Sequence, residues 1–183
     1  MNVHTCKKHR PVLGLIACFT LLFYAPGGFS QPIPSVFDNY TPEDGLVHGT
    51  VNKIYQDSLG FMWFCTLGGL SQFDGYRFIN YTSDREDTAS LHSNGCYDIL
   101  ERPNGTFWVA LQGGIDRFDP KTRRFSRLRV RLGGQIQPFD FDTRVLLPLS
   151  PDSMLIGTTT GLLLYTQKNR QIEPFPKNQV FSA

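Results

Sequence analysis

Residues 46–74 read LVHGTVNKIYQDSLGFMWFCTLGGLSQFD, and residues 91–119 read LHSNGCYDILERPNGTFWVALQGGIDRFD. The two stretches align without a gap at an offset of 45 residues. Identical pairs are Leu46/Leu91, Ile54/Ile99, Gly60/Gly105, Trp63/Trp108, Gly68/Gly113, Gly69/Gly114, Phe73/Phe118 and Asp74/Asp119. Others are kin, such as Phe64/Val109 and Leu70/Ile115. Tryptophan is scarce and glycine is positionally demanding, so these matches mark an internal repeat. The paired Gly, Trp, Phe73/Phe118 and Asp74/Asp119 positions are its structural residues. A third copy follows at an offset of 47, with Leu155-Ile156-Gly157-Thr158 standing where Trp63-Phe64-Cys65-Thr66 stood. It keeps Gly161-Leu162 and places Tyr165 at the Phe73 position, but it lacks the Trp. Repeats of about 40–50 residues are the units of β-propellers, each blade a small sheet packed on the next.

Each copy reads as four short strands. Val51–Gln56 alternates, Asp57–Gly60 turns, and Phe61–Thr66 is a nearly continuous apolar run, as a strand covered on both faces should be. Gly68-Gly69 reads as a two-residue hairpin turn, Leu70–Phe73 as the third strand, Asp74-Gly75 as a second turn and Arg77–Tyr81 as the fourth strand. In the second copy Asp119-Pro120-Lys121-Thr122 lengthens the last turn. The links between blades fall near Ser83–Ser90 and Gly133–Asp140. Trp63 and Trp108 are expected in the core, because sheets stacked about 10 Å apart need a large ring between them. The fold class is therefore all-β: a partial propeller of about three four-stranded blades. Residues 46–85 form blade 1, 86–132 blade 2 and 133–183 an incompletely ended blade 3.

Phe37-Asp38-Asn39-Tyr40-Thr41 echoes Phe78-Ile79-Asn80-Tyr81-Thr82, the end of the first blade. Residues 31–45 thus read as an orphan outer strand with a lead-in, of the kind that completes a last blade. Propellers close with about 4–8 blades, so further blades are expected partners.

Apolar residues make up 40% of the 183, enough for a packed core, and Gly (17) and Phe (15) suit short strands and tight turns. The net charge of +2 is misleading. Residues 1–30 hold Lys7, Lys8 and Arg10 and no acid, so the rest of the chain is close to neutral and carries no footprint for nucleic acid. Those 30 residues read as a signal peptide. The basic start precedes an apolar run from Val12 to Tyr24, and Gly28-Phe29-Ser30 precedes a cleavage point before Gln31. An uncleaved membrane anchor is the alternative. Leu15-Ile16-Ala17-Cys18 resembles a lipobox, but largely apolar residues continue after Cys18, which argues against lipidation. The implied place is the periplasm or cell envelope. Cys65 and Cys96 remain after cleavage; export permits a disulfide, while their small or apolar repeat positions suit buried free thiols.

The ordered series Phe37-x-x-Tyr40, Asp44-Gly45-Leu46, Val51-x-x-Ile54, Asp57-x-x-Gly60-Phe61-x-Trp63-Phe64-x-Thr66, Gly69-Leu70 and Phe73-Asp74-Gly75-Tyr76-x-Phe78 resembles the two-component regulator propeller repeat. The likeness covers about residues 33–175. Cys65 and Ala110 depart from the family's usual Gly, and Gly157 conforms. The resemblance implies a seven-bladed, often doubled propeller in the periplasmic sensor region of hybrid histidine kinases and some diguanylate cyclases. Such a propeller senses an external ligand, frequently an oligosaccharide, and is followed by a membrane helix and a cytoplasmic output domain.

No catalytic motif stands out. His48 and His92 lie on the approach to a blade's first strand and read as turn residues. Two Cys and two His without close spacing make no zinc site, and Asp84, Glu86 and Asp87 read as a solvated loop. Gly113-Gly114 and Gly133-Gly134 lack a phosphate-loop pattern. Arg127, Arg129 and Arg131 alternate with Leu128, Val130 and Leu132, which reads as a wet outer strand or, alternatively, an anion patch for acidic glycans. No cofactor is implied. The functional expectation is a ligand-sensing input region; an exported glycan-acting enzyme and a non-catalytic scaffold are the alternatives.

Overall fold

The computed structural model describes residues 38–132 and 134–176. The chain falls into two compact units, residues 1–38 and 39–183. Only Asp38 of the first is described, so the expected signal peptide and most of the expected orphan strand lie outside the described residues. Residues 38–41 belong to no strand, and Pro42–Asp44 form a single 3-10 turn.

The second unit is built of antiparallel sheets in chain order. Strands β1 (Val51–Gln56), β2 (Met62–Thr66), β3 (Gly69–Phe73) and β4 (Phe78–Tyr81) form the first sheet, in that order. β5 (Cys96–Glu101), β6 (Phe107–Leu111), β7 (Gly114–Asp119) and β8 (Arg124–Arg127) form the second. The third sheet is larger than expected. Its hairpin of β9 (Arg129–Leu132) and β10 (Gln135–Pro138) comes first in the chain. β11 (Thr143–Ser150), β12 (Ser153–Thr158), β13 (Gly161–Thr166) and β14 (Gln171–Pro174) then repeat the four-stranded pattern. The hairpin extends that sheet to six strands, through a parallel contact of Arg131 with Gln171. The stretch read as one strand from Arg127 to Leu132 is therefore two. The chain breaks at Leu128, whose N–H and carbonyl bond to Ile115 and Phe139 instead of continuing a ladder.

The hairpin turns sit one residue earlier than the glycine pairs suggested. Thr66 pairs with Gly69 and Leu111 with Gly114, so the loops are Leu67-Gly68 and Gln112-Gly113. Gly69 and Gly114 open the third strands. A Cβ at Gly69 would sit 2.5 Å from the Tyr81 carbonyl oxygen, and one at Gly114 would sit 2.6 Å from that of Phe139. The chain leaving each sheet crosses at those points, and only glycine leaves it room. Asp74 and Asp119 recur because each caps its own turn: Asp74 Oδ1 accepts from the Tyr76 and Arg77 N–H groups, and Asp119 Oδ1 from that of Lys121.

Gly60 and Gly105, counted among the structural residues of the repeat, serve their own turns and not the stacking of the sheets. Both are exposed, and a Cβ built at either would meet nothing within 4 Å. They recur for a local reason. Gly60 at φ 91° and Gly105 at φ 75° end the turn between the first two strands in a left-handed conformation. Their N–H groups bond the carbonyls of Asp57 at 3.0 Å and Arg102 at 2.8 Å.

Alternation along the strands gives each sheet two apolar faces, and successive sheets meet unlike faces. Trp63, Cys65 and Leu70 of the first sheet pack on Ile99, Phe107, Val109 and Phe118 of the second. Trp108, Ala110 and Ile115 of the second pack on Leu146, Met154, Ile156 and Tyr165 of the third. Trp63 is fully buried and Trp108 nearly so, and the two hold equivalent places, one at each interface. Trp63 meets Phe107 and Phe118 at centroid distances of 5.1 and 5.6 Å, and Trp108 meets Tyr165 edge-on at 5.0 Å.

Polar bonds fix the turns within a sheet and also cross the same interfaces. Trp63 Nε1–H donates to Asp57 Oδ2 at 2.8 Å, while Asp57 Oδ1 takes the Leu59 and Phe61 N–H groups. Buried Asp98 joins all three sheets: it pairs with Lys53 Nζ at 3.3 Å and accepts the Leu146 N–H at 2.9 Å. Glu101 accepts from the Ser58 N–H and hydroxyl. The Cys65 and Cys96 thiols are free and buried, and they share a hydrogen bond across the first interface. Burial first, and then that bond, push the Cys96 thiol well above its ordinary value.

Two outcomes follow for the full-length protein. Asp98→Ala strands the buried Leu146 N–H and costs about 1–3 kcal/mol in chemical denaturation; a change within about 0.5 kcal/mol would mean that Asp98 pins nothing. Cys96 is neutral when folded, so its contribution is fully present below the free-thiol value of about 8.5 and is lost as pH rises through the higher folded value. Accordingly, a thiol-reactive dye at pH 8 labels neither cysteine until denaturant is added. Rapid native labelling contradicts the burial.

Candidate functional site

The turns that join the first two strands of each sheet occupy aligned positions, and here the repeat is broken chemically. In the first sheet the turn opens with Asp57, held by Trp63 and two backbone donors. In the second, the residue aligned with Asp57 is Arg102. The backbone turn survives, closed by Gly105 as the first is closed by Gly60: Arg102 N–H bonds the Thr106 carbonyl as Asp57 N–H bonds that of Phe61. The side chain is reversed in charge. Arg102 is only 7% exposed, and its guanidinium lies 5.5 Å over the Trp108 ring. Its Nη2 donates to the Pro151 carbonyl at 2.5 Å and to Gln167 Oε1 at 3.1 Å, both neutral.

Around Arg102 a cleft of about 700 Å³ opens between the second and third sheets. Trp108 and Tyr165 line it with Arg102, Arg117, Lys168 and Arg170. Arg117 stands on β7 at the place held by Gln72 in the first sheet, so a neutral position has become cationic as well. Arg170 ends the β13–β14 turn in a left-handed conformation at φ 53°. Its N–H bonds the Gln167 carbonyl, and its own carbonyl takes the Arg131 N–H of the added hairpin. The Tyr165 hydroxyl reports how closely these charges gather. Burial raises its pKa, and Arg170, Arg117 and Arg102 together pull against that rise.

Ion pairs among the described residues are Lys53–Asp98, Arg77–Asp74, His92–Asp116, Arg124–Asp87 and Arg127–Asp140. None includes Arg102, Arg117, Lys168 or Arg170. Asp152, exposed, is the one carboxylate among the lining residues.

Of the residues weighed for chemistry in the sequence, Arg127, Leu128 and Arg129 also line this cleft, and the others fall elsewhere. His92 is a clamp: its N–H and Nδ1 meet the two Asp116 oxygens at 2.9 and 2.8 Å, and its Nε2 lies 3.1 Å from the Gln112 carbonyl. His48 Nδ1 accepts the Thr50 N–H. Asp84 and Asp87 cap turns in their own loop. The crowded arginines do not form one patch. Arg124 faces Asp87, Arg127 is tied to Asp140 and the Gly113 carbonyl, and Arg129 and Arg131 bond carbonyls of their own hairpin. The cleft was missed because its cations are far apart in sequence. The signal that locates it is the pair of charge changes Asp57/Arg102 and Gln72/Arg117 inside an otherwise matched repeat.

Comparison with known proteins agrees with the sheet arrangement. Residues 45–68 match the family model for the two component regulator propeller. Over 79 residues, 43% of the chain, the sequence is 35% identical to histidine kinase P4 of Formosa agariphila. The chain spans only 6% of that relative's length. Among solved structures, the extracellular domain of a B. thetaiotaomicron protein described as a one component system superposes with a TM-score of 0.56 at 20% identity. That match covers 79% of this chain and 19% of the other. A second extracellular domain from the same organism, described as a hybrid two component system, gives 0.52 at 20% identity, over 76% of this chain and 26% of the other. The repeat, the face-packed sheets and these likenesses agree with a propeller fold, and residues 45–68 carry the match to the two component regulator propeller family.

Proposed function

We propose that this chain forms part of the ligand-sensing, exported input region of a histidine kinase or related membrane signalling protein. The observation that carries the reading is the unequal cover of aligned positions, taken with the histidine kinase relative. Ile99 of the second sheet is 2% exposed beneath the first sheet, whereas Ile54, its partner in the repeat, is 56% exposed. On the other side Ile115 is fully buried beneath the third sheet, whereas Leu162, its counterpart there, is 52% exposed. Val145 and Leu147 lie beside Leu162 on the same open face. The two end faces therefore have the composition of interface faces, and further sheets of the same propeller are their occupants. A closed ring of such sheets displays loops from many blades, and a ligand held there biases the kinase across the membrane. The His92 clamp, with both ring nitrogens facing acceptors, supports binding in preference to acid–base chemistry.

Three measurements test this. In the full-length protein Ile54→Asp costs more than about 2 kcal/mol, as Ile99→Asp does; a cost within about 0.5 kcal/mol would leave the face open and remove the further sheets. Alkaline phosphatase fused after residue 176 is active, since that enzyme works only outside the cytoplasm; an inactive fusion rules out export. Autophosphorylation of the full-length protein in proteoliposomes changes with at least one member of a panel of neutral and acidic oligosaccharides. Indifference to the whole panel removes the sensing of such ligands.

A further inference from the structure

We infer that the cleft between the second and third sheets is a binding site for a small anionic molecule, with Arg102 as its buried anchor. The inference rests on the input-region reading for its purpose, but its chemistry stands on the cleft itself. A guanidinium more than nine-tenths buried is costly unless it is paired or well bonded. Arg102 has two neutral acceptors and an aromatic face but no carboxylate partner. Arg117, Lys168 and Arg170 add three exposed cations to the same walls, none engaged by an acid.

At the first interface the same corner holds Asp57 and Gln72, whose polar groups are satisfied internally, so a stack of these sheets forms without cations there. A carboxylate, sulfate or phosphate group seated against Arg102 and reached by Arg117 and Arg170 supplies the absent counter-charge, with planar, two-pronged bonding that arginine favours. The cleft's volume suits a small molecule rather than a lone ion. Its aromatic floor is nearly closed, since Trp108 and Tyr165 are each 4% exposed. Charge and hydrogen bonding at the rim therefore set the preference, and a neutral analogue binds weakly.

The test is calorimetric titration of the full-length protein with sodium sulfate, D-galacturonate and neutral D-galactose at low and moderate salt. At least one anion binds saturably and weakens as salt rises, while galactose binds at least about tenfold more weakly. Arg117→Gln with Arg170→Gln, both exposed positions, lowers anion affinity about tenfold and leaves the unfolding midpoint unchanged. Arg102→Lys lowers affinity while keeping the charge, because the planar fork is lost. Absence of saturable binding for both anions, equal binding of galactose, or full affinity in the double variant overturns the inference. Anion binding without any effect on autophosphorylation overturns the input reading and leaves this site standing. Autophosphorylation driven by a neutral sugar, with no anion bound, does the reverse.

Discussion

Stacking sheets side by side requires something bulky between them at every step, and the ring systems of Trp63 and Trp108 meet that need. Two pleated sheets pack about 10 Å apart, and one large ring fills much of that gap. A tryptophan on the second strand of one sheet reaches the phenylalanine or tyrosine on the third strand of the next. Other features follow from this contact. The unlike faces alternate because each sheet must offer a tryptophan face forward and a Phe107-type face back. Cys65 and Ala110 are small because the inner strand of the following sheet passes close beside the ring. Gly69 and Gly114 are bare because the connecting chain crosses there to begin the next unit.

The third sheet's added hairpin brings further apolar bulk to the second interface, in the core that holds Trp108. Leu128 and Val130 are almost fully buried, and Phe139, just beyond the hairpin, is completely so, all in the core shared with Trp108 and Tyr165. The alternating residues of β9 thus have two duties: Val130 faces the core, while Arg129 and Arg131 close the hairpin by bonding its carbonyls. Charge on an outer strand also keeps that edge from pairing with another chain.

Sheet order, strand positions and the burial of both tryptophans were legible because spacing alone encodes them. A repeat of 45 residues with matched Trp and Gly leaves little freedom for any other arrangement. What could not be read depends on contacts between units. Matched glycines look alike in the sequence, yet Gly105 answers to the geometry of its own turn and Gly114 to a carbonyl from the next link. The hairpin reversal falls at Leu67-Gly68 rather than on the glycine pair, because close approach at Gly69, and not turn geometry alone, decides where the second glycine goes. Leu128 breaks a strand that alternation makes continuous, since its backbone finds partners in Ile115 and Phe139. Nothing in the repeat pattern marks Asp98. Its value lies in Lys53 on one side and the Leu146 N–H on the other, and neither is near it in sequence.

A repeat also supplies its own internal control for function. Positions that agree between copies serve the stack or its turns; positions that disagree in charge while the backbone stays the same have been released from both. Asp57 and Arg102 begin the same turn with the same backbone bond, so the reversal costs the turn nothing. It does change the electrostatics of the interface. The first interface closes on a satisfied carboxylate, and the second holds a desolvated cation braced by Trp108 and two carbonyl-type oxygens. A cation over an indole face gains only about 0.5–2 kcal/mol. Burying a guanidinium without a counter-ion costs more than that. The fold therefore holds a buried cation without a counter-ion at one corner. That imbalance, located by comparing the molecule with itself, separates the second interface from the first.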